Sequence, residues 1–506
     1  MKRILKRVLW RIFRWGSVLL LVMVFLMAAR GVYAFRDRMP GSEFDLKIDA
    51  AKSRAEPRPL RVGFGRVKIN PVLFDPERPV WVAGFSQHRA ATAIHDDLWA
   101  IACVVDDGHT RFGVVALDAI GFFHDDTLEV RSSCPERWKL DYVTVCATHN
   151  HSTPDLMGLW GPDFLHTGVD ARYRRKVIAA ATKALGQAVK ALQPARLACH
   201  EIATPTEGLV ADTRQPIVFD PDLRVMHFTS AADGTTLGSI VGCANHPETP
   251  WGENTEITAD FCGYLRTALE RGFSHEGREL ASGVGGIHLY VNGAIGGLMT
   301  PHPSVTVRDP FLQQDFKAPS HEKARALGHQ LAARILLELR KTNSAPTAIA
   351  PIGVHARTIE MPVANKLFLA AAYLGLMDRG FVRWKTMRTE VALVTIGEAS
   401  ILCVPGEIYP EIINGGIERA PGADFDLAPV EVPPLRELMP GRITFVFGLA
   451  NDELGYLIPK SEWDEKPPHL YGANGVYGEV NSCGPDAAAT VHAALAELCR
   501  ETITAK

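Results

Sequence analysis

The chain has 506 residues, of which 47% are hydrophobic and 22% charged; that is enough apolar material for a large core, and it excludes disorder over most of the length. Charge is uneven: residues 1–36 hold eight Lys or Arg and no acidic residue, which leaves 46 basic against 57 acidic side chains in the remainder. So acidic a body argues against nucleic acid as a partner, and no protein partner is predicted either.

The elements begin with Lys2, Arg3, Lys6, Arg7, Arg11 and Arg14, followed by an uncharged tract from Trp15 to Ala29. Arg30 interrupts it, and Gly31-Val32-Tyr33-Ala34-Phe35 continues the apolar run. With Arg30 snorkelling, residues 15–35 are long enough to cross ~30 Å of hydrocarbon at ~1.5 Å per residue. The positive flank stays on the cytoplasmic side, which puts the body outside it, periplasmic or extracellular. The rival reading is a cleaved signal peptide, because Val32-Tyr33-Ala34 has a small-x-small pattern. That reading makes the body secreted. The expected organisation is an anchor or signal over residues 1–35, a polar linker over 36–58, and one folded unit over 59–506.

Within that unit, short apolar runs rich in β-branched residues predict strands over 111–122, 141–147, 237–244, 287–291, 391–396, 401–404 and 443–448. Their near-continuous apolar character is that of strands covered on both faces. Amphipathic helices are predicted over 170–192, 320–341 and 485–501, the second with Ser320 as its N-cap. Gly397-Glu398-Ala399 predicts a hairpin turn. The fold class is therefore α/β, a mixed β-sheet core flanked by helices and preceded by one N-terminal membrane helix. The nine cysteines contain no C-x-x-C spacing, so a zinc knuckle is excluded, while one or two disulfides stay open.

The strongest chemical signal is the predicted strand Tyr142-Val143-Thr144-Val145-Cys146, which runs into His149-Asn150-His151. Residues two apart in extended chain point the same way, so both imidazoles face one side at a strand end, where α/β proteins place ligands. Two neutral ring nitrogens there suit zinc; a pair of hydrogen-bonded structural histidines reads equally well from this segment alone. Other predicted strands end near His246, Glu407 and Tyr456. Each is weak singly, and their force is collective. G-x-S-x-G, H-E-x-x-H, Walker A and G-x-G-x-x-G are all absent.

Taken together, the chain from about residue 60 onward resembles the neutral/alkaline non-lysosomal ceramidase family. The segments carrying the resemblance are Val62-Gly63-Phe64-Gly65-Arg66-Val67, Ala83-Gly84-Phe85, Ile94-His95-Asp96-Asp97, Ala116-Leu117-Asp118, Thr148-His149-Asn150-His151-Ser152, Asn245-His246-Pro247, Asn292-Gly293-Ala294, Val404-Pro405-Gly406-Glu407 and Gly448-Leu449-Ala450-Asn451. The resemblance implies a zinc hydrolase domain with one Zn2+ per chain, held by His149, His246, Glu407 and Tyr456 at the strand ends. It implies His151 as proton-transfer neighbour, Arg214 as a substrate-orienting residue, and Gly84, His95, Asp118 and Tyr471 on the substrate side. The implied reaction is cleavage of the amide of an N-acyl lipid, ceramide-like, by metal-activated water. A zinc hydrolase of another ester or cell-envelope amide, or an inactive lipid-binding protein, are the alternatives. Two departures stand out. The family's catalytic Ser before a Pro is absent, and Thr300-Pro301 takes its place. The family's C-terminal immunoglobulin-like domain has no counterpart.

Overall fold

The computed structural model describes residues 2–73, 75, 78–341, 345–472 and 478–504. In chain order, the elements that position the site are α1 (Lys2–Ala34), β1 (Asp45–Ile48), β2 (Arg61–Lys68), β3 (Trp99–Asp106), β4 (Arg111–Leu117), α2 (His124–Ser132), β5 (Tyr142–Ala147), α3 (Ala171–Lys190), β6 (Gln193–Ile202), β7 (Leu223–Ser230), β8 (Thr236–Cys243), α4 (Asp260–Arg271), β9 (Ile287–Asn292) and α5 (His321–Leu339). The second half adds β10 (Ile352–Pro362), α6 (Lys366–Leu374), β11 (Thr386–Ile396), β12 (Ala399–Cys403), β13 (Glu407–Ile408), β14 (Ile443–Phe447), β15 (Tyr456–Leu457) and α7 (Ala487–Thr504).

Two mixed sheets result. The larger has eight strands in the order β9-β8-β7-β6-β2-β3-β4-β5, and the smaller five in the order β1-β10-β11-β12-β14. They pack face to face through Ile101, Cys103, Val114 and Phe228 on one side and Val354, Val394, Ile401 and Phe445 on the other. Residues one position along the same strands point outward. Ala102, Val104 and Val115 meet Val177, Ala181 and Leu185 of α3. Val391, Leu393 and Val446 of the smaller sheet share a core with Val491, Leu495 and Leu498 of α7. The architecture is four layers, helix–sheet–sheet–helix. It explains why the strands are apolar on both faces: alternation sends one set of side chains between the sheets and the other beneath helices.

The α/β expectation holds, with boundaries shifted by a few residues. Asp170 caps α3 by accepting from Arg172 N, and Ser320 caps α5 by accepting from Lys323 N. The hairpin at Gly397 joins β11 to β12 in antiparallel register. Residues 36–58 do not run as a free linker. They contain β1, which pairs with β10 at the edge of the smaller sheet, and Asp37 forms a bidentate pair with Arg388 of β11. All nine cysteines are free thiols, so neither of the disulfides left open forms. Eight of the nine are buried, in keeping with small apolar core residues.

Candidate metal centre

The carboxyl ends of β5, β8, β9, β12 and β14 come together at one end of the two sheets. Backbone bonds stitch them: Ala147 N donates to Leu449 O (3.1 Å), Asn451 N to Val145 O (2.7 Å) and Gly448 N to Asn292 O (2.9 Å). A Cβ on Gly448 would fall 2.4 Å from Gly293 O, so only glycine lets these loops approach so closely.

His149 follows β5 at φ +64, a left-handed conformation costing a non-glycine residue ~1–3 kcal/mol. Neighbouring bonds hold it there: Thr148 N donates to Leu117 O and Asn150 N to Ala119 O. The ring Nδ1 of His149 lies 2.7 Å from Ile120 O, and Nδ1 of His246 lies 2.7 Å from Met299 O. Those carbonyls can only accept, so each Nδ1 carries a proton and Nε2 is the nitrogen that each ring turns to the cluster. Both Nε2 atoms face the same carboxylate oxygen, Glu407 Oε2, at 3.3 and 3.0 Å. Burial would lower His246, but the bond to Glu407 outweighs it and holds that ring above the ordinary histidine value, so the carboxylate shares a proton with Nε2; a divalent cation would take the place of that proton. Backbone carbonyls fixing the far nitrogen of each ring are the usual support of metal-bound histidine. The donor set therefore fits a divalent metal.

His151 is the third imidazole; one ligating atom each from His149, His151 and His246 lie within 4.8 Å of one another. Its Nδ1 is 3.2 Å from Glu248 Oε2. Burial, reinforced by His149 and His246, pushes His151 well below the ordinary histidine value, so it is neutral. Burial alone would raise the Glu407 carboxyl, but His149 and His246 outweigh it and hold the carboxylate well below its usual range. Tyr456 stands directly opposite Glu407 in the short parallel pair β13–β15 and is buried beside it. The ring of Tyr409 meets it edge-on at 6.1 Å.

A narrow cavity of about 150 Å³ leads to this cluster. It is a slot rather than a basin. His149, His151, Glu407, Glu453 and Tyr456 form its polar end, and Phe85, Met157, Trp160, Phe368 and Met377 its apolar walls. A larger open groove of about 950 Å³ lies at the other end of the strands, beside Leu197, Glu398 and Arg442, with no comparable donor cluster among the described residues.

The residues predicted for this site divide. His149, His151, His246, Glu407 and Tyr456 converge, and Gly84 lies against His151 on the cavity wall. The rest take other places. Asp118 is locked to Arg266 by two bonds of 2.7 and 2.8 Å, and His95 stacks on His321 at 3.7 Å. Arg214 is committed to Tyr409 Oη (2.6 Å), Glu462 O and Glu479. Tyr471 is 46% exposed and bonds Glu418. Thr300 is buried, pairs through its backbone with Ala211, and does not line the cavity. None of these five forms the cavity wall. Glu453 and Glu248 were missed. Burial raises both carboxyls, and for Glu453 nearby Glu407 adds to the effect. Glu453 lies in the same loop as Tyr456, three residues upstream, which was the available signal.

The layered sandwich is similar in fold to two solved ceramidase structures. A neutral ceramidase from Pseudomonas aeruginosa is 17% identical, covers 87% of this chain over 74% of its own, and superposes with a TM-score of 0.63. A ceramidase complexed with C2 is likewise 17% identical, covers 88% of this chain over 76% of its own, and gives 0.64. No protein-family model matches the sequence, and no curated protein matches it.

Proposed function

We propose that the chain is a zinc-dependent amidohydrolase that cleaves the amide bond of an N-acyl lipid, ceramide-like in form, with its body outside the cytoplasm and α1 as its anchor. The observation that carries this reading is the convergence of two histidine Nε2 atoms on one oxygen of the Glu407 carboxylate at the polar end of an apolar slot. The likeness of fold to ceramidases supports the substrate class.

His149, His246 and Glu407 would hold the metal, with Tyr456 beside them; zinc bound there supplies Lewis-acid activation of water near neutral pH. The apolar walls take an acyl chain and keep bulk water from the reacting carbonyl. His151 is neutral and adjacent, so it can accept a proton at the attack and deliver it to the leaving amine. Tyr456, on the same cavity wall, would offer its hydroxyl as a donor to the oxyanion. Arg214 acts at one remove, fixing Tyr409, which packs on Tyr456. Direct hydrolysis needs no acyl-enzyme, which agrees with Thr300 lying off the cavity wall. Thr300 instead follows Met299, whose carbonyl orients His246.

The test is metal content and turnover together. His149→Ala and His246→Ala each lose stoichiometric zinc and hydrolysis of an N-acyl sphingosine. Retention of zinc in both variants overturns the site. Retention of activity in the purified metal-free protein overturns the mechanism.

A further inference from the structure

The anchor is bolted to the wall of the cavity. Arg30 Nε donates to Tyr373 O at 2.6 Å, at the last turn of α6, and Tyr373 Oη donates back to Met27 O at 3.1 Å. A cation on the terminal carbonyls of a helix is the favourable arrangement for its dipole. One turn on, Phe35 is buried and meets Phe381 and Trp384 edge-on, with ring centres 4.9 and 4.5 Å apart. The inner side of α6 gives Phe368 to the cavity, and Met377 follows it on the same wall.

The outer side of this region is apolar and uncovered. Leu367 is 65% exposed, Leu374 56% and Trp384 59%. The position of a bilayer follows from α1 itself. Its most apolar stretch of 18 residues has mean hydropathy 2.2, and none of that stretch is buried in the protein. At ~1.5 Å per residue, the run from Trp15 to Ala34 is just long enough for ~30 Å of hydrocarbon. The far boundary of that hydrocarbon therefore falls at Arg30 to Ala34, the level at which α6 is fastened.

We propose that α6 and Trp384 form a membrane-docking face, held against the bilayer by the chain's own anchor, through which an N-acyl lipid passes sideways into the cavity. The route of entry rests on the amidohydrolase reading; the docking face does not. The apolar outer residues then have a partner, and the substrate needs no transfer through water.

The full chain is reconstituted in phosphatidylcholine vesicles, with an environment-sensitive fluorophore on Leu367→Cys or Leu374→Cys. Lys190→Cys, at the end of α3, serves as the reference. Lipids brominated on their acyl chains should quench both α6 labels and spare the label at 190. If the α6 labels are unquenched in floated vesicles, or if the mature chain begins after Ala34, the docking face is overturned. Separately, the double variant Leu367→Glu, Leu374→Glu should lose roughly tenfold or more in kcat/KM on a vesicle-embedded long-chain N-acyl sphingosine, about what unburying one leucine costs. It should keep its rate on a short-chain, water-soluble analogue. Equal loss on both substrates overturns the entry route. Quenching is read without turnover, so an inactive protein would count against the proposed reaction and leave the docking result intact.

Discussion

Gly84 shows how little room the centre leaves. Its φ is +108, and a Cβ built there would lie 2.5 Å from the His151 ring. Gly84→Ala must therefore move His151, and it also adds backbone strain of ~1 kcal/mol or more. If His151 moves the proton, kcat should fall by roughly a hundredfold to ten-thousandfold, the range for loss of a placed general base. Zinc content should stay at the wild-type level, because His149 and His246 are not in the path of the new methyl. Steady-state kinetics with metal analysis checks both. Wild-type kcat in a folded Gly84→Ala protein would remove His151 from the chemistry.

The elements are joined by charges that the sheet buries. Glu390 of β11 is fully buried and takes both guanidinium nitrogens of Arg131 in α2 at 2.6 Å. It also accepts from Tyr142 of β5 and from Asn451 Nδ2, whose Oδ1 in turn receives Val145 N. One carboxylate thus ties the strand leading to His149 to the loop leading to Tyr456. Glu390→Ala leaves Arg131 without its partner in a poorly solvated place, which should cost ~3–5 kcal/mol in denaturant unfolding. Glu390→Gln, which keeps part of the hydrogen bonding, should cost less. A loss below ~1 kcal/mol for the alanine variant would show that the network adds little. This network also marks where the sequence stopped being readable. The strand was expected to begin at Val391, because Arg388, Thr389 and Glu390 look like surface residues; the two charged ones are buried because Asp37 answers Arg388 and Arg131 answers Glu390 from far along the chain. Asp45-Leu46-Lys47-Ile48 was passed over for the related reason that half of an edge strand faces solvent. The histidine cluster was legible because its members follow apolar strands at recognisable distances. The direction of a side chain was not: Asp118 follows β4 as closely as His149 follows β5, yet it turns to Arg266, 148 positions away.

At the scale of the whole molecule, pH acts through groups that the four-layer packing has removed from water, and they pull in two directions. Burial pushes His288 of β9 down to about 4, while it holds Asp212 and Asp260 up at about 7. A histidine with a lowered folded value contributes stability that is complete above its unfolded value of ~6.5 and is lost as pH falls towards 4. Carboxyls with raised folded values do the opposite over the same window, binding protons in the folded state first, so acidification strengthens their contribution. The wild-type curve between pH 7 and 4 is the balance of the two. His288 can be separated from it, since its Nδ1 meets Ser239 Oγ at 2.6 Å and its Nε2 meets Gly285 O at 2.8 Å, in the sheet rather than at the cavity. His288→Gln cannot titrate. Relative to the wild type it should gain stability on acidification, by up to ~1.4 kcal/mol per pH unit below pH 6.5. Unfolding free energies of the two proteins, taken in urea at pH 7, 6, 5 and 4.5, give that difference with the carboxyl contributions cancelled. A difference that stays flat across the series would mean that His288 is protonated in the folded protein, and that the core between β8 and β9 is wetter than its packing implies.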